Sequence, residues 1–235
     1  HDASVIQTLV SQGYVTGELK TGFPAERIAD PDNFISLLYY FGMTTIDGVH
    51  RGKTRFKIPN QVVREQLFNY LLETYDEVDL RFDSMEKGDL NADLAYDGKW
   101  REYFQYIADC LTTYASQRDR LKGESFVHGF TLAMTAQNKF YRPESEKDTQ
   151  GGYADIFMLP MIDIWKDMLH SYIIELKYAK GKDSDEVVAR LREEAIAQAN
   201  RYADTEVVKR NIGMTTLHKI VVVYRGMDMV VCEEV

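Results

Sequence analysis

Asp155, Glu175 and Lys177 are the residues whose types and spacing offer joint chemistry in this sequence. Asp155 precedes the apolar run Ile156-Phe157-Met158-Leu159, and Tyr172-Ile173-Ile174 leads into Glu175-Leu176-Lys177. Runs this short, β-branched or aromatic and bounded by Gly, Pro or polar residues, predict strands. Side chains alternate along a strand, so Glu175 and Lys177 share one face and Leu176 takes the other. If the two strands pair, Asp155 sits beside Glu175, and two carboxylates and an ammonium meet on one patch of sheet. Carboxylate oxygens are hard ligands, and two of them with water hold Mg²⁺ or Mn²⁺. A lysine two residues from a ligating glutamate is placed to orient or deprotonate a metal-bound water, or to stabilise charge on a reacting phosphate. Burial among apolar strands would lower the lysine pKa, and the neighbouring carboxylates would raise it. A Glu-x-Lys by itself is more often a solvated strand end with a Glu–Lys pair, and the preceding Asp155 is what makes it a candidate site.

The order Gly152-Tyr153-Ala154-Asp155-Ile156, then Tyr172-Ile173-Ile174-Glu175-Leu176-Lys177-Tyr178, resembles the PD-(D/E)XK nuclease superfamily, in which an Asp and a Glu-x-Lys form the metal site. More narrowly, it is similar to the nuclease domain that ends a group of bacterial AAA-ATPase-like proteins. The usual Pro-Asp is Ala154-Asp155 here. The resemblance implies metal ligation by Asp155 and Glu175, with the Leu176 carbonyl as a further contact, and a water-positioning or water-activating role for Lys177. It also implies that Glu124, on the first helix, faces the metal; a first-turn glutamate favoured by the helix dipole is the plainer account. Gln198 and Tyr202 stand at i and i+4 on one face of a predicted helix. They resemble an auxiliary Gln-x-x-x-Tyr motif of RecB-type nucleases, which flanks the active site and would orient Lys177 or touch the nucleic acid. A core tyrosine with a surface glutamine is the alternative. His128 reads as a core or surface histidine, and Glu146 as a solvated loop acid.

The elements needed to position these residues are legible from pattern. Glu124–Met134 predicts a helix packed under a sheet, Phe140–Pro143 a first strand, and Asp183 to Ala203 a helix with an Asp-x-x-Glu start. Lys219–Tyr224 is nearly continuous in hydrophobicity and predicts a buried central strand, with Met229–Cys232 after it. The order from 124 is α, β, β, β, α, β, β. The expected fold is therefore α+β or α/β: a restriction-endonuclease-like mixed sheet flanked by helices, over 124–235. Residues 76–123 read as a helical linker, with helices over Asp76–Glu86 and Trp100–Arg120. Residues 1–75 read as a winged-helix-like region: a short helix at Val5–Val10, a helix from Pro31 carrying Phe34, Leu37, Leu38 and Phe41, a hairpin with its tip at Asp47–Gly52, and a helix with Val63, Leu67, Tyr70 and Leu71. Asn33–Gly42 and Lys57–Asn60 resemble the stretch closing the ATPase half of the same bacterial proteins, which implies an ATPase-like region upstream as a partner. No Gly-x-x-x-x-Gly-Lys-Ser/Thr is present, so this chain has no P-loop of its own.

Composition bounds the remaining possibilities. The 235 residues are 45% hydrophobic and 12% aromatic, which describes a folded globular chain. The net charge of −9 is opposite to a nucleic-acid footprint. The acidity is concentrated, however: residues 73–109 carry eleven acidic against four basic side chains, whereas 176–225 carry ten basic against seven acidic. Cys110 and Cys232 lack metal-ligand spacing and fit reduced thiols, with one disulfide as the alternative. No apolar run reaches membrane length and no signal peptide is visible, so no membrane is expected and a cytoplasmic location is; the opening at His1-Asp2 suggests a piece of a longer protein. The function expected is metal-dependent hydrolysis of phosphodiesters, DNA being the expected substrate. The alternatives are a non-catalytic module of the same fold that binds a partner or the ATPase-like region, and DNA binding through 31–75, where Arg51, Lys53 and Arg55 would form a basic wing.

Overall fold

The structure is a computed structural model that describes residues 5–6, 8–9, 13–28, 30–60, 62–63, 66–67, 70, 89–117, 123–145 and 156–235. The chain divides into two compact units, 1–75 and 76–235. In the first, strands β1 (Tyr14–Gly17), β2 (Thr45–His50) and β3 (Lys53–Lys57) form an antiparallel sheet in the order β1-β3-β2. Helix α1 (Pro31–Tyr40) starts on a proline, whose fixed φ suits a first helical turn, and buries Phe34, Ile35 and Leu38. The hairpin turn is tighter than expected. Arg51 and Gly52 alone make it, with φ of 50° and 80°, the pairing of a type I′ turn. Strand β2 runs on through Asp47 and Gly48, and a bulge between Ile46 and Val49 absorbs the register change. Asp47 accepts a hydrogen bond from Arg55 Nε at 2.8 Å and pairs with Lys57 at 2.7 Å. Arg55, one of the three basic residues of the alternative DNA-binding wing, is therefore already paired within its own sheet.

The second unit is a five-stranded mixed sheet flanked by helices. Its strands are β4 (Tyr141–Ser145), β5 (Ile156–Pro160), β6 (His170–Ala179), β7 (Thr216–Arg225) and β8 (Asp228–Glu234), in the order β4-β5-β6-β7-β8. All neighbours are antiparallel except β6 and β7. A parallel pair needs a long crossover, which the helix Asp185–Ala203 and the short helix Glu206–Asn211 supply between those two strands. The middle of the sheet is buried from both sides: Ser171–Leu176 on β6 and Ile220–Tyr224 on β7 are all buried. That is why both read as near-continuous apolar runs.

One sheet face packs on the crossover helices through Phe157, Leu159, Ile173, Tyr202 and Val208, and through Ala195, Val221 and Val223. Full burial of each Val, Leu, Ile or Phe among them contributes about 1.5–3 kcal/mol. On the opposite face the Tyr172 hydroxyl donates to the Leu94 carbonyl at 2.8 Å, anchoring a single π-helical turn at Asp93–Asp97. We number the second unit's helices in chain order: α2 (Trp100–Gln117), α3 (Glu124–Ala136), α4 (Asp185–Ala203) and α5 (Glu206–Asn211). The described part of the expected helical linker belongs to the same compact unit as the sheet. Helix α2 buries Tyr103, Phe104, Ile107, Ala108 and Leu111, and its Arg101 and Thr112 donate to the Cys232 and Met227 carbonyls, each at 3.2 Å. A helix with so complete an apolar stripe is stable only against a partner surface. The helix expected at Asp76–Glu86 lies outside the described residues.

Candidate active site

Strand β6 carries two of the expected site residues, Glu175 and Lys177. Alternation puts Ile173, Glu175 and Lys177 on the face toward α4, and the parallel register sets Glu175 and Lys177 beside Val221 and Val223. Glu175 is therefore deep in an apolar layer, with 1% of its surface exposed. The Lys177 ammonium lies 2.6 Å from Glu175 Oε1. The contact is an ion pair by distance only, because among the described residues neither Glu175 oxygen accepts a well-aligned hydrogen bond. Lys177, whose side chain is 15% exposed, also donates to Gln198 Oε1 on α4. The lysine is thus held between a strand carboxylate and a helix amide.

Tyr202 stands one turn beyond Gln198. It is buried, its ring edge-to-face on Phe157 with centroids 6.2 Å apart, in the layer formed by Leu159, Ile173 and Val208. The helix face that presents Gln198 to Lys177 therefore also seals α4 onto the sheet. Glu124 opens α3 with its side chain exposed to solvent, yet the surrounding protein desolvates its carboxyl enough to raise it above the usual range; the Lys177 charge pulls the other way. Glu124 therefore shares an electrostatic environment with Lys177. One turn on, His128 is fully buried inside the same helix, as a core histidine.

Asp155 and Glu146 lie outside the described residues. Strand β5 begins at Ile156, which pairs with Ile174; Asp155 precedes the one in sequence and Glu175 follows the other. Among the described residues no group of three or more His, Cys, Asp or Glu side chains is arranged to hold a metal. Glu175 alone nevertheless fits a cation: its donors are hard oxygens, both out of solvent and neither satisfied by a hydrogen bond among the described residues. Sequence reasoning missed a second cluster, formed by His170, His218 and Glu234 at the other end of β6. Its members are scattered in sequence, and only the parallel register of β6 and β7 brings the two imidazoles together.

The fold and this constellation can be compared with known families. Residues 122–234 match the model of the PD-(D/E)XK nuclease superfamily. The mixed sheet with its flanking helices is accordingly a restriction-endonuclease-like fold, and the matched span runs from just before Glu124 to the end of β8. Members of the PD-(D/E)XK superfamily are generally nucleases, typically using divalent metals. No curated protein and no solved structure matches the chain.

Proposed function

We propose that the C-terminal PD-(D/E)XK domain hydrolyses phosphodiester bonds in DNA with the help of Mg²⁺ or Mn²⁺. The observation that carries this reading is the state of Glu175: a carboxylate 1% exposed, with an ammonium at 2.6 Å and no hydrogen bond to either oxygen from a described residue. Burying a charge in this way is costly unless a cation compensates it, and Lys177 approaches only one of its oxygens. Asp155 and Glu175 would hold the ion, with Glu124 as a third carboxylate. Asp155 directly precedes Ile156 in sequence, and Glu175 directly follows Ile174, the strand partner of Ile156. When bound, the ion supplies Lewis-acid stabilisation of charge on the scissile phosphate and a more acidic water.

The chain's own groups do the rest. Lys177 donates hydrogen bonds that orient the attacking water and places a positive charge beside the phosphate. Gln198 accepts from the Lys177 ammonium and fixes where it points. Tyr202 holds α4, and with it Gln198, at a set depth on the sheet. Calorimetric titration of Mn²⁺ into wild type, Asp155→Ala and Glu175→Ala tests the reading. One bound ion in wild type, lost or weakened at least tenfold in both variants, is expected. Equal binding in all three proteins would place the ion elsewhere and overturn it.

A further inference from the structure

At the end of the sheet where β6 and β7 begin, His170 Nδ1 lies 2.8 Å from His218 Nε2. The other nitrogen of His218, Nδ1, is 2.6 Å from Glu234 Oε1, and Glu234 Oε2 accepts from Trp100 Nε1 at 3.1 Å. Tyr172 stacks on the His218 ring at 5.0 Å and 18°. Gly98 closes the π-helical turn against His170; a Cβ there would come within 3.0 Å of that ring. The chain Trp100–Glu234–His218–His170 therefore ties α2, β8, β7 and β6 together at one point.

A 2.8 Å gap between two ring nitrogens has room for one hydrogen, donated by one ring and accepted by the other. A second proton would set N–H against N–H, so the pair in this arrangement gains no more than one proton. In the unfolded chain each imidazole takes its own proton near about pH 6.5. The charged and titratable groups around the pair do not alter this count. Glu234 on β8 and Asp97 on the π-helical turn favour positive charge, but Asp97 is shared with Lys99 at 3.8 Å. The Tyr96 main chain hydrogen-bonds His170, while the phenols of Tyr172 and Tyr141, both well above their ordinary range through burial, stay neutral. Burial first, and then the His218 charge, hold His170 below the ordinary histidine value.

We propose that His170 and His218 act as a one-proton latch fastening the start of α2 and the end of β8 to the sheet, and that acid opens it. The sign follows from counting protons. The native pair binds one fewer than the unfolded chain once pH falls below about 6.5, so its stabilisation is complete above that pH and lost beneath it. Through this window the unfolding constant rises about tenfold per pH unit.

The test is histidine-selective ¹⁵N NMR of the full chain from pH 8 to 5, with His170→Gln and His218→Gln for assignment. His170 is expected to keep one unprotonated ring nitrogen well below about pH 6.5, the ordinary histidine value. Full protonation of both His170 and His218 near the ordinary value would overturn the proposal. So would one tightly bound Zn²⁺ per chain that abolishes both titrations. Should a variant fail to fold, hydrogen exchange of the Trp100 indole in wild type decides. Protection of that N–H, its exchange rate relative to the intrinsic rate at the same pH, is the readout: protection that falls below about pH 6.5 supports the latch, and protection that stays constant in that range overturns it.

Discussion

At the scale of single residues, the site sets an ammonium beside a buried carboxylate. Removing Lys177 leaves Glu175 charged and uncompensated, which for a buried pair costs on the order of 3 kcal/mol. Lys177→Met should therefore destabilise the protein in urea by about that much without metal, and Mn²⁺ at a hundred times its Kd should restore about 2.7 kcal/mol. Denaturation with and without Mn²⁺ measures both, and a variant as stable as wild type without metal would contradict the pairing. In the proposed reading Gln198 acts through Lys177, to which it is hydrogen-bonded, and substitution of such supporting groups typically costs ten- to a hundredfold. Gln198→Ala should lower kcat by about that factor and shift the basic limb of the pH–rate profile, where loss of a purely structural contact would leave the limb in place. Glu124, raised by burial, binds its proton more tightly folded than unfolded. Its contribution to stability is complete below the usual carboxylate range and lost as pH rises through its raised value. Glu124→Gln should remove that step, which begins in the usual carboxylate range and extends above it, from the pH–stability curve.

At the scale of elements, α4 matters because it holds two motif residues at once, one reaching the lysine and one packed in the core. Tyr202→Ala should cost about 3–5 kcal/mol, the range for deleting a buried aromatic, whereas Tyr202→Phe should stay within about 1 kcal/mol. Thermal unfolding of the pair separates the packing role of the ring from any role of the hydroxyl. The runs Ile156–Leu159 and Lys219–Tyr224 were legible in the sequence because strands buried on both faces have little choice but to be apolar. The Glu-x-Lys stood out for the opposite reason, as charge set in such a run. What the sequence could not display was depth: Glu175 on a solvated strand end and Glu175 buried between β7 and α4 have the same neighbours in sequence. Nor could it show α5, whose six residues are too few for a helical period, or β1, a four-residue strand held only by pairing with β3. The His170–His218 contact depends on strand register, and nothing local encodes it.

At the scale of the molecule, residues 76–235 enclose their own core, and α2, read as part of a linker, is one wall of it. The acidic charge over 73–109 concealed this, because a solvated face and a buried stripe share one helix. A fragment spanning 76–235 should unfold in a single cooperative transition and bind Mn²⁺ as the whole chain does. Calorimetry of the fragment checks both, and a fragment that fails to fold would show that 1–75 is required. Among the described residues no helix is long and apolar enough to cross a membrane. The net charge of −9 argues against binding nucleic acid by a broad basic surface.

The most direct measurement is nicking of supercoiled plasmid by the full chain in Mn²⁺, with Glu175→Ala beside it and circular dichroism confirming that both are folded. The account predicts nicking by wild type that vanishes with chelator and falls at least a hundredfold in the variant. Equal, metal-dependent nicking by wild type and variant would contradict it.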